Sequence, residues 1–214
     1  MPVIDLACDC QLISANYATT KALSDELIAL AEEKGAIYWK TQGLLRRASL
    51  LASTGNASDA VSIFTSTLPA CHSMGTTIRL PWHLCHLARA CGELGQFEEA
   101  WSHIGEAITA VETTKEKWCE AEVHRTAGEI ALISPERDLT KAEACFEQAL
   151  AVARQQQAKS WELRAAISMA RLWREQGKRD EARELLAPIY SWFTEGFDTV
   201  DLKQAKALLD ELAA

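Results

Sequence analysis

The stretch Leu84-Cys85-His86-Leu87-Ala88-Arg89-Ala90-Cys91-Gly92-Glu93-Leu94-Gly95-Gln96-Phe97-Glu98-Glu99-Ala100-Trp101-Ser102-His103-Ile104 spells out two helices and the turn between them. Ala88 is a small residue midway along the first helix. Gly95 follows seven residues later, where a helix needs a left-handed C-cap. Ala100 and Ile104, twelve and sixteen residues after Ala88, fall on one face of the second helix. Antiparallel helices approach closely only where side chains are small, and a larger residue then fills the groove beside them.

Working outward, the same grammar recurs as Ala48, Gly55, Ala60 and Phe64, and again as Ala170, Gly177, Ala182 and Leu186. A variant runs Gly128, Ala142 and Phe146, where Ser134-Pro135-Glu136-Arg137-Asp138 makes a longer connection and Asp138 or Thr140 can cap the next helix. The small positions 48, 88, 128 and 170 are separated by 40, 40 and 42 residues. Internal repetition at such a period marks a stack of supersecondary units. The fold class expected is all-α, an α-α superhelix of antiparallel helical hairpins with about ten helices.

The phrases Gly95-Gln96-Phe97-Glu98-Glu99-Ala100 and Gly177-Lys178-Arg179-Asp180-Glu181-Ala182 resemble the inter-helix turn of the tetratricopeptide repeat. The period exceeds that family's usual 34 residues. Armadillo and HEAT repeats have a period near 40 but lack this spaced Gly and Ala pattern. The stretches Ala170 to Trp173, Leu185 to Tyr190 and Trp192 to Asp198, running on to Leu212, resemble the C-terminal end of large bacterial regulators. Those regulators join a tetratricopeptide-like region to an ATPase module, with a cyclase-like or winged-helix N-terminus. The resemblance implies an interaction or sensor role. No GxxxxGK[ST] phosphate loop is present, so no nucleotide chemistry carries over.

The expected organisation is a tail over 1–12, then one solenoid over 13–214. Within it the reading places an incomplete first hairpin at 13–36, hairpins near 37–74, 77–114, 116–157 and 159–195, and a capping helix at 199–213. Asn16 to Lys34 reads as the second helix of the incomplete hairpin, so the N-terminal end looks cut and the C-terminal end finished.

The chain has 214 residues, 48% apolar and 24% charged, with a formal net charge of -8. That balance favours a folded domain and opposes non-specific binding to nucleic acid. No run of about 20 apolar residues could span a bilayer, and Met1 to Leu12 lacks the basic start of a signal peptide. Seven cysteines, an odd number scattered through helical patterns, read as reduced thiols of a cytoplasmic protein.

Positions flanking the small residue of each first helix are expected to line a concave groove. They include Gln42, Leu45 and Ser49, then Trp82, Cys85, Arg89 and Glu93, then Glu122, Arg125 and Glu129, then Arg164, Ile167, Arg171, Arg174 and Glu175. The partner-binding residues expected are Trp82, Arg89, Arg125, Arg164, Arg171 and Arg174, because arginine forks bind carboxylates in bidentate fashion. The same arginines could instead pair with neighbouring glutamates along a solvated face. Trp39, Trp82, Trp118 and Trp161, each near the start of a first helix, read mainly as hairpin-packing residues. His72, His83, Cys85, His86 and Cys91 have the wrong spacing for a metal site, and no nucleophile elbow or Cys/His dyad suggests catalysis. Neither cofactor nor metal is expected.

The function expected is therefore an interaction scaffold or regulatory module. Its partner would be a protein or acidic peptide segment, bound in the arginine groove or at the N-terminal end. There, an apolar face including Leu27 and Leu30 would allow a homodimer. The alternative is a small-molecule sensor domain with an effector held near Trp82 and Arg125.

Overall fold

The structure, a computed structural model, describes residues 1–213. It is all-helical, with eleven α-helices and no strand among the described residues. The chain divides into two compact units, Met1–Thr114 and Lys115–Ala214, where the repeat reading expects one solenoid. Unit 1 holds α1 (Pro2–Ile13), α2 (Tyr17–Glu33), α3 (Ile37–Ser53), α4 (Ala57–Ser73), α5 (Leu80–Glu93) and α6 (Phe97–Thr114). Unit 2 holds α7 (Glu120–Ile133), α8 (Leu139–Gln155), α9 (Lys159–Glu175), α10 (Arg179–Ser191) and α11 (Val200–Ala213).

Within each unit successive helices pack as antiparallel neighbours, and every second helix also touches: α1 on α3, α3 on α5, α7 on α9 and α9 on α11. The turns recur with a strict rhythm. Apart from Arg79, residues with left-handed φ fall at 15, 35, 55, 75, 95, 115, 137, 157, 177 and 196, so a turn comes every 20 residues except for one step of 22 and one of 19. Two such steps make one repeat, which is why the period is 40. At most of these turns the next residue donates its N–H to the carbonyl five back, as in Asn56 to Leu51 (2.9 Å), Gln96 to Cys91 (2.9 Å) and Lys178 to Trp173 (2.9 Å). This closure satisfies carbonyls that the helix end would leave orphaned. The step of 22 carries the Pro135 connection. There Asp138 reaches seven residues back to Ala131 (3.1 Å), the same closure around two more residues.

The small positions do what their size predicts. Ala48, Ala88 and Ala170 have no solvent exposure, nor do their partners Ala60, Ala100 and Ala182. Gly128 is the tightest of them, because a Cβ there would lie 2.4 Å from the ring of buried Phe146, which would have to shift.

Residues 1–12 are not a tail, and the first hairpin is not incomplete. Residues 2–13 form α1, which packs on α2 and α3. Cys8 stands 40 residues before Ala48 and is fully buried, as are Thr20 and Ser24, twelve and sixteen residues after it. The first repeat thus uses Cys, Thr and Ser where the others use Ala or Gly, then Ala, then a large apolar residue. The buried hydroxyls bond within their own helix, Thr20 to the Asn16 carbonyl (2.9 Å) and Ser24 to that of Lys21 (2.9 Å). No helix among the described residues is long and apolar enough to cross a membrane.

Candidate interaction site

In unit 1, four charged side chains from three elements meet beneath α1. Asp5 and Asp9 lie one helical turn apart on α1, so both carboxylates leave the same face. Facing them from mid-α3 is Arg46, with no solvent exposure at all. Its Nη2 lies 3.0 Å from Asp5 Oδ1 and its Nε 3.1 Å from Asp9 Oδ1. A hydrogen bond of 3.1 Å also runs from Nη2 to Asp9 Oδ2. The remaining Nη1 donates to Gln42 Oε1 at 2.6 Å, which fixes the fork. Arg79 closes the site from the start of α5. Its Nε lies 2.7 Å from Asp9 Oδ2 and its Nη1 3.2 Å from Asp5 Oδ2. Each carboxylate is thereby gripped by two guanidiniums, and the four charges cancel.

Arg79 reaches this position from a left-handed backbone, φ 59°, just before Leu80-Pro81 open α5. A non-glycine residue adopts that conformation at a cost, so the ion cluster compensates local strain. Burial pushes the Asp9 carboxyl up from its ordinary range, with Arg46 and Arg79 opposing. Burial likewise pushes the Cys8 thiol up to about 12, Arg46 again opposing, so the docked thiol is inert. Its Sγ rests on the Thr20 carbonyl at 3.6 Å. His83, buried on the first turn of α5, has neither ring nitrogen hydrogen-bonded. Burial, with Arg46, His86 and Arg79 nearby, holds it well below its usual pKa and hence neutral.

Chemically this is a receptor for two carboxylates spaced i and i+4 on a helix, occupied by the chain's own α1. None of its four charged members was among the expected site residues. One signal was available: Asp5 and Asp9 flank Cys8 as Leu45 and Ser49 flank Ala48, and as Cys85 and Arg89 flank Ala88.

The expected residues lie as follows. In unit 1, Trp82 is buried and packs edge-on against His86 with ring centroids 4.4 Å apart, so it is not open to a partner. Gln42, Leu45, Ser49 and Cys85 are buried too. The reason is that α1 covers α3, while α5 is enclosed by α3, α4 and α6. Arg89 stays half-exposed and pairs with Glu93 at 3.2 Å. Leu27 is fully buried and Leu30 half-buried, because α1 covers the face that the reading left open.

In unit 2, Arg125 and Arg164 converge on buried Glu122. Arg125 approaches it at 2.8 Å and Glu129 at 3.0 Å, while Arg164 lies 3.8 Å from Glu122 and 2.7 Å from Asp201. Arg164 also stacks over the Trp161 ring at 5.0 Å. These two tie α7, α9 and α11 together. Exposed Arg171 donates to Gln204 (3.0 Å), and Arg174 pairs with Glu211. Ile167 is buried. An open, polar depression lined by Gly55, Asn56, Asp59, Glu93 and Leu94 offers no convergent groups for chemistry. Among the described residues no cluster of three His, Cys, Asp or Glu side chains could hold a metal ion.

No protein-family model matches the chain, and no curated protein does either. Among solved structures it is similar to BtubC (BKLC) from P. vanneervenii, at 17% identity and a TM-score of 0.60. That alignment covers 98% of this chain and 77% of BtubC. At such identity the likeness shows the fold: this chain and BtubC share an all-helical architecture.

Proposed function

We propose that the chain is a protein-interaction scaffold of tetratricopeptide-like hairpins that grips a carboxylate-bearing helical segment of another protein through arginine forks. The observation that supports this is the seat of α1. Arg46 and Arg79 hold two carboxylates, one turn apart, on a helix that is separate in sequence from both of them. Guanidinium forks match carboxylates in geometry and charge, which favours this ligand class over a neutral one. Arg89 and Arg171, expected from the sequence as contact residues, reach solvent and are held by Glu93 and Gln204. An exposed ion pair such as Arg89 with Glu93 is worth about 0–1 kcal/mol, and Arg171 is held by a neutral amide, so both side chains can turn to an arriving partner. A bacterial regulatory setting is the context that the C-terminal resemblance favours. The proposal involves no cofactor, metal or catalytic step.

The test is a fluorescence anisotropy titration of the full chain, at 0.15 M salt, with helical dodecapeptides bearing two Asp residues at i and i+4. Peptides with Asn at both positions serve as controls. Binding of the acidic peptides, weakened at least tenfold by Arg79→Gln, would support the reading. Equal affinity for acidic and amide peptides would sink it.

A further inference from the structure

The seat of α1 differs from every other helix contact in unit 1. Elsewhere the hairpins close on Ala and on large apolar residues, such as Phe64 and Ile104. Here the closing residues are Cys8, Thr20 and Ser24, and beside Leu12 the buried side chains of α1 are the two carboxylates of the ion cluster. Of the twelve residues of α1, only Asp5, Cys8, Asp9 and Leu12 are buried. Of its other apolar side chains Ile4, Ala7 and Ile13 are half-buried, while Val3 is 80% and Leu6 58% exposed. Buried ion pairs contribute little net stability against an apolar contact of similar size, though they discriminate strongly between partners. The hinge joining α1 to α2 is Ser14-Ala15-Asn16, with Ala15 at φ 56°, a left-handed conformation that its Cβ disfavours. No side chain caps the start of α1. The helix is thus held by an ion cluster and a narrow apolar edge around Leu12, on a strained hinge, over a seat that is cationic once it leaves.

We infer that α1 is an exchangeable occupant of its own seat, displaced when a partner protein supplies an acidic helix with carboxylates at i and i+4, a small residue at i+3 and a leucine at i+7. That pattern copies Asp5, Asp9, Cys8 and Leu12. Exchange swaps one gripped carboxylate pair for another, so Arg46 is never left buried and unpaired. It also carries Cys8 from full burial into solvent, which gives the exchange its own reporter. The inference rests on the acid-gripping reading above and adds that binding and release of α1 are one event.

The experiment uses the full chain and a fluorescein-labelled peptide of residues 2–13 carrying Cys8→Ala and Cys10→Ser. Anisotropy reports binding. Pulsed alkylation with iodoacetamide, read by mass spectrometry, reports each thiol. The expected result is that saturating peptide speeds Cys8 alkylation at least tenfold while Cys71, Cys85 and Cys91, buried in α4 and α5, keep their rates. A control peptide with Asp5→Asn and Asp9→Asn should do neither. Arg79→Gln, which leaves Arg46 paired with both carboxylates, should weaken peptide binding at least tenfold with unaltered circular dichroism. Binding with Cys8 still protected would overturn the exchange and leave the acid-gripping reading standing. Absence of binding would overturn both. A dimer by light scattering, with Cys8 protected and no peptide uptake, would assign the seat to a second copy and overturn the partner.

Discussion

At the scale of single residues, two positions carry most of the consequence. Arg46 is fully buried and meets Asp5, Asp9 and Gln42. Removing one member of a buried ion cluster leaves charge unpaired, whereas replacing the cluster by apolar side chains need not. Arg46→Met alone should therefore cost about 3–5 kcal/mol in urea denaturation. The triple variant Asp5→Leu, Asp9→Leu, Arg46→Met should be neutral or more stable by about 1–4 kcal/mol, since Arg79 can turn to solvent. If the triple variant were no better than the single, the cluster would contribute net stability. Gly128 is the second position. A methyl there would meet the Phe146 ring at 2.4 Å, and overpacking of that kind costs about 1–3 kcal/mol. Gly128→Ala should accordingly lower the unfolding midpoint, although alanine is the better helix former. Little of the site was legible at this scale. Arginine was the correct residue type, but nothing in the spacing of Arg46 showed that it would be buried beneath a helix from the extreme N-terminus.

At the scale of elements, ten of the eleven helices follow from the repeat grammar, and the reason the eleventh was missed is chemical. The repeat is recognised by Gly at the turn and by Ala before it. The first repeat has Ala15 at its turn and Cys8, Thr20 and Ser24 at its packing positions. Each substitute is small enough for the contact, so the geometry survives although the lettering does not. The Pro135 connection shows the opposite case, with altered spacing but a legible cap. Asp138 accepts the Lys141 N–H at 2.9 Å and so caps α8 as its position suggests. Asp138→Ala should cost about 0.5–2 kcal/mol, and Asp138→Ser should restore most of it. Equal midpoints for all three proteins would mean that the closure from the Asp138 N–H to Ala131 holds this turn by itself.

At the scale of the whole molecule, the balance of charge governs the response to acid. Burial works against the charge of Glu162, yet hydrogen bonds from Lys159 (2.6 Å) and Arg154 (2.9 Å) outweigh it and hold its carboxyl below the ordinary value. Hydrogen bonds from Lys21 and Arg47 lower Asp25 in the same way. A depressed carboxyl contributes stability that is fully present above its unfolded pKa of about 4 and is lost as pH falls through the folded value. The urea midpoint should therefore be flat from pH 7 to 5 and fall below pH 4.5 or so. Glu162→Gln should cost about 1–2 kcal/mol of unfolding free energy at pH 7 and make the acid limb shallower. An unchanged acid limb in that variant would place the titrating groups elsewhere. Overall charge and helix class were readable from composition and period. The division into two compact units was not, because the repeat pattern runs through residue 114 without a break in phase.

The twenty-residue rhythm of left-handed turns also bears on chirality. Gly35, Gly55, Gly75, Gly95 and Gly177 all have φ between 62° and 81°, and all are exposed. An L-side chain is disfavoured in that region, but its mirror image is at home there. A semisynthetic chain carrying D-alanine at these five turns would keep the native backbone and restrict only the unfolded one, for a gain of about 0.4–1 kcal/mol at each. The same exchange at Ala15 would relax the hinge of α1 and hold that helix more firmly in place. Inverting one stereocentre, with composition unchanged, would then shift the equilibrium between the closed and open forms of the seat.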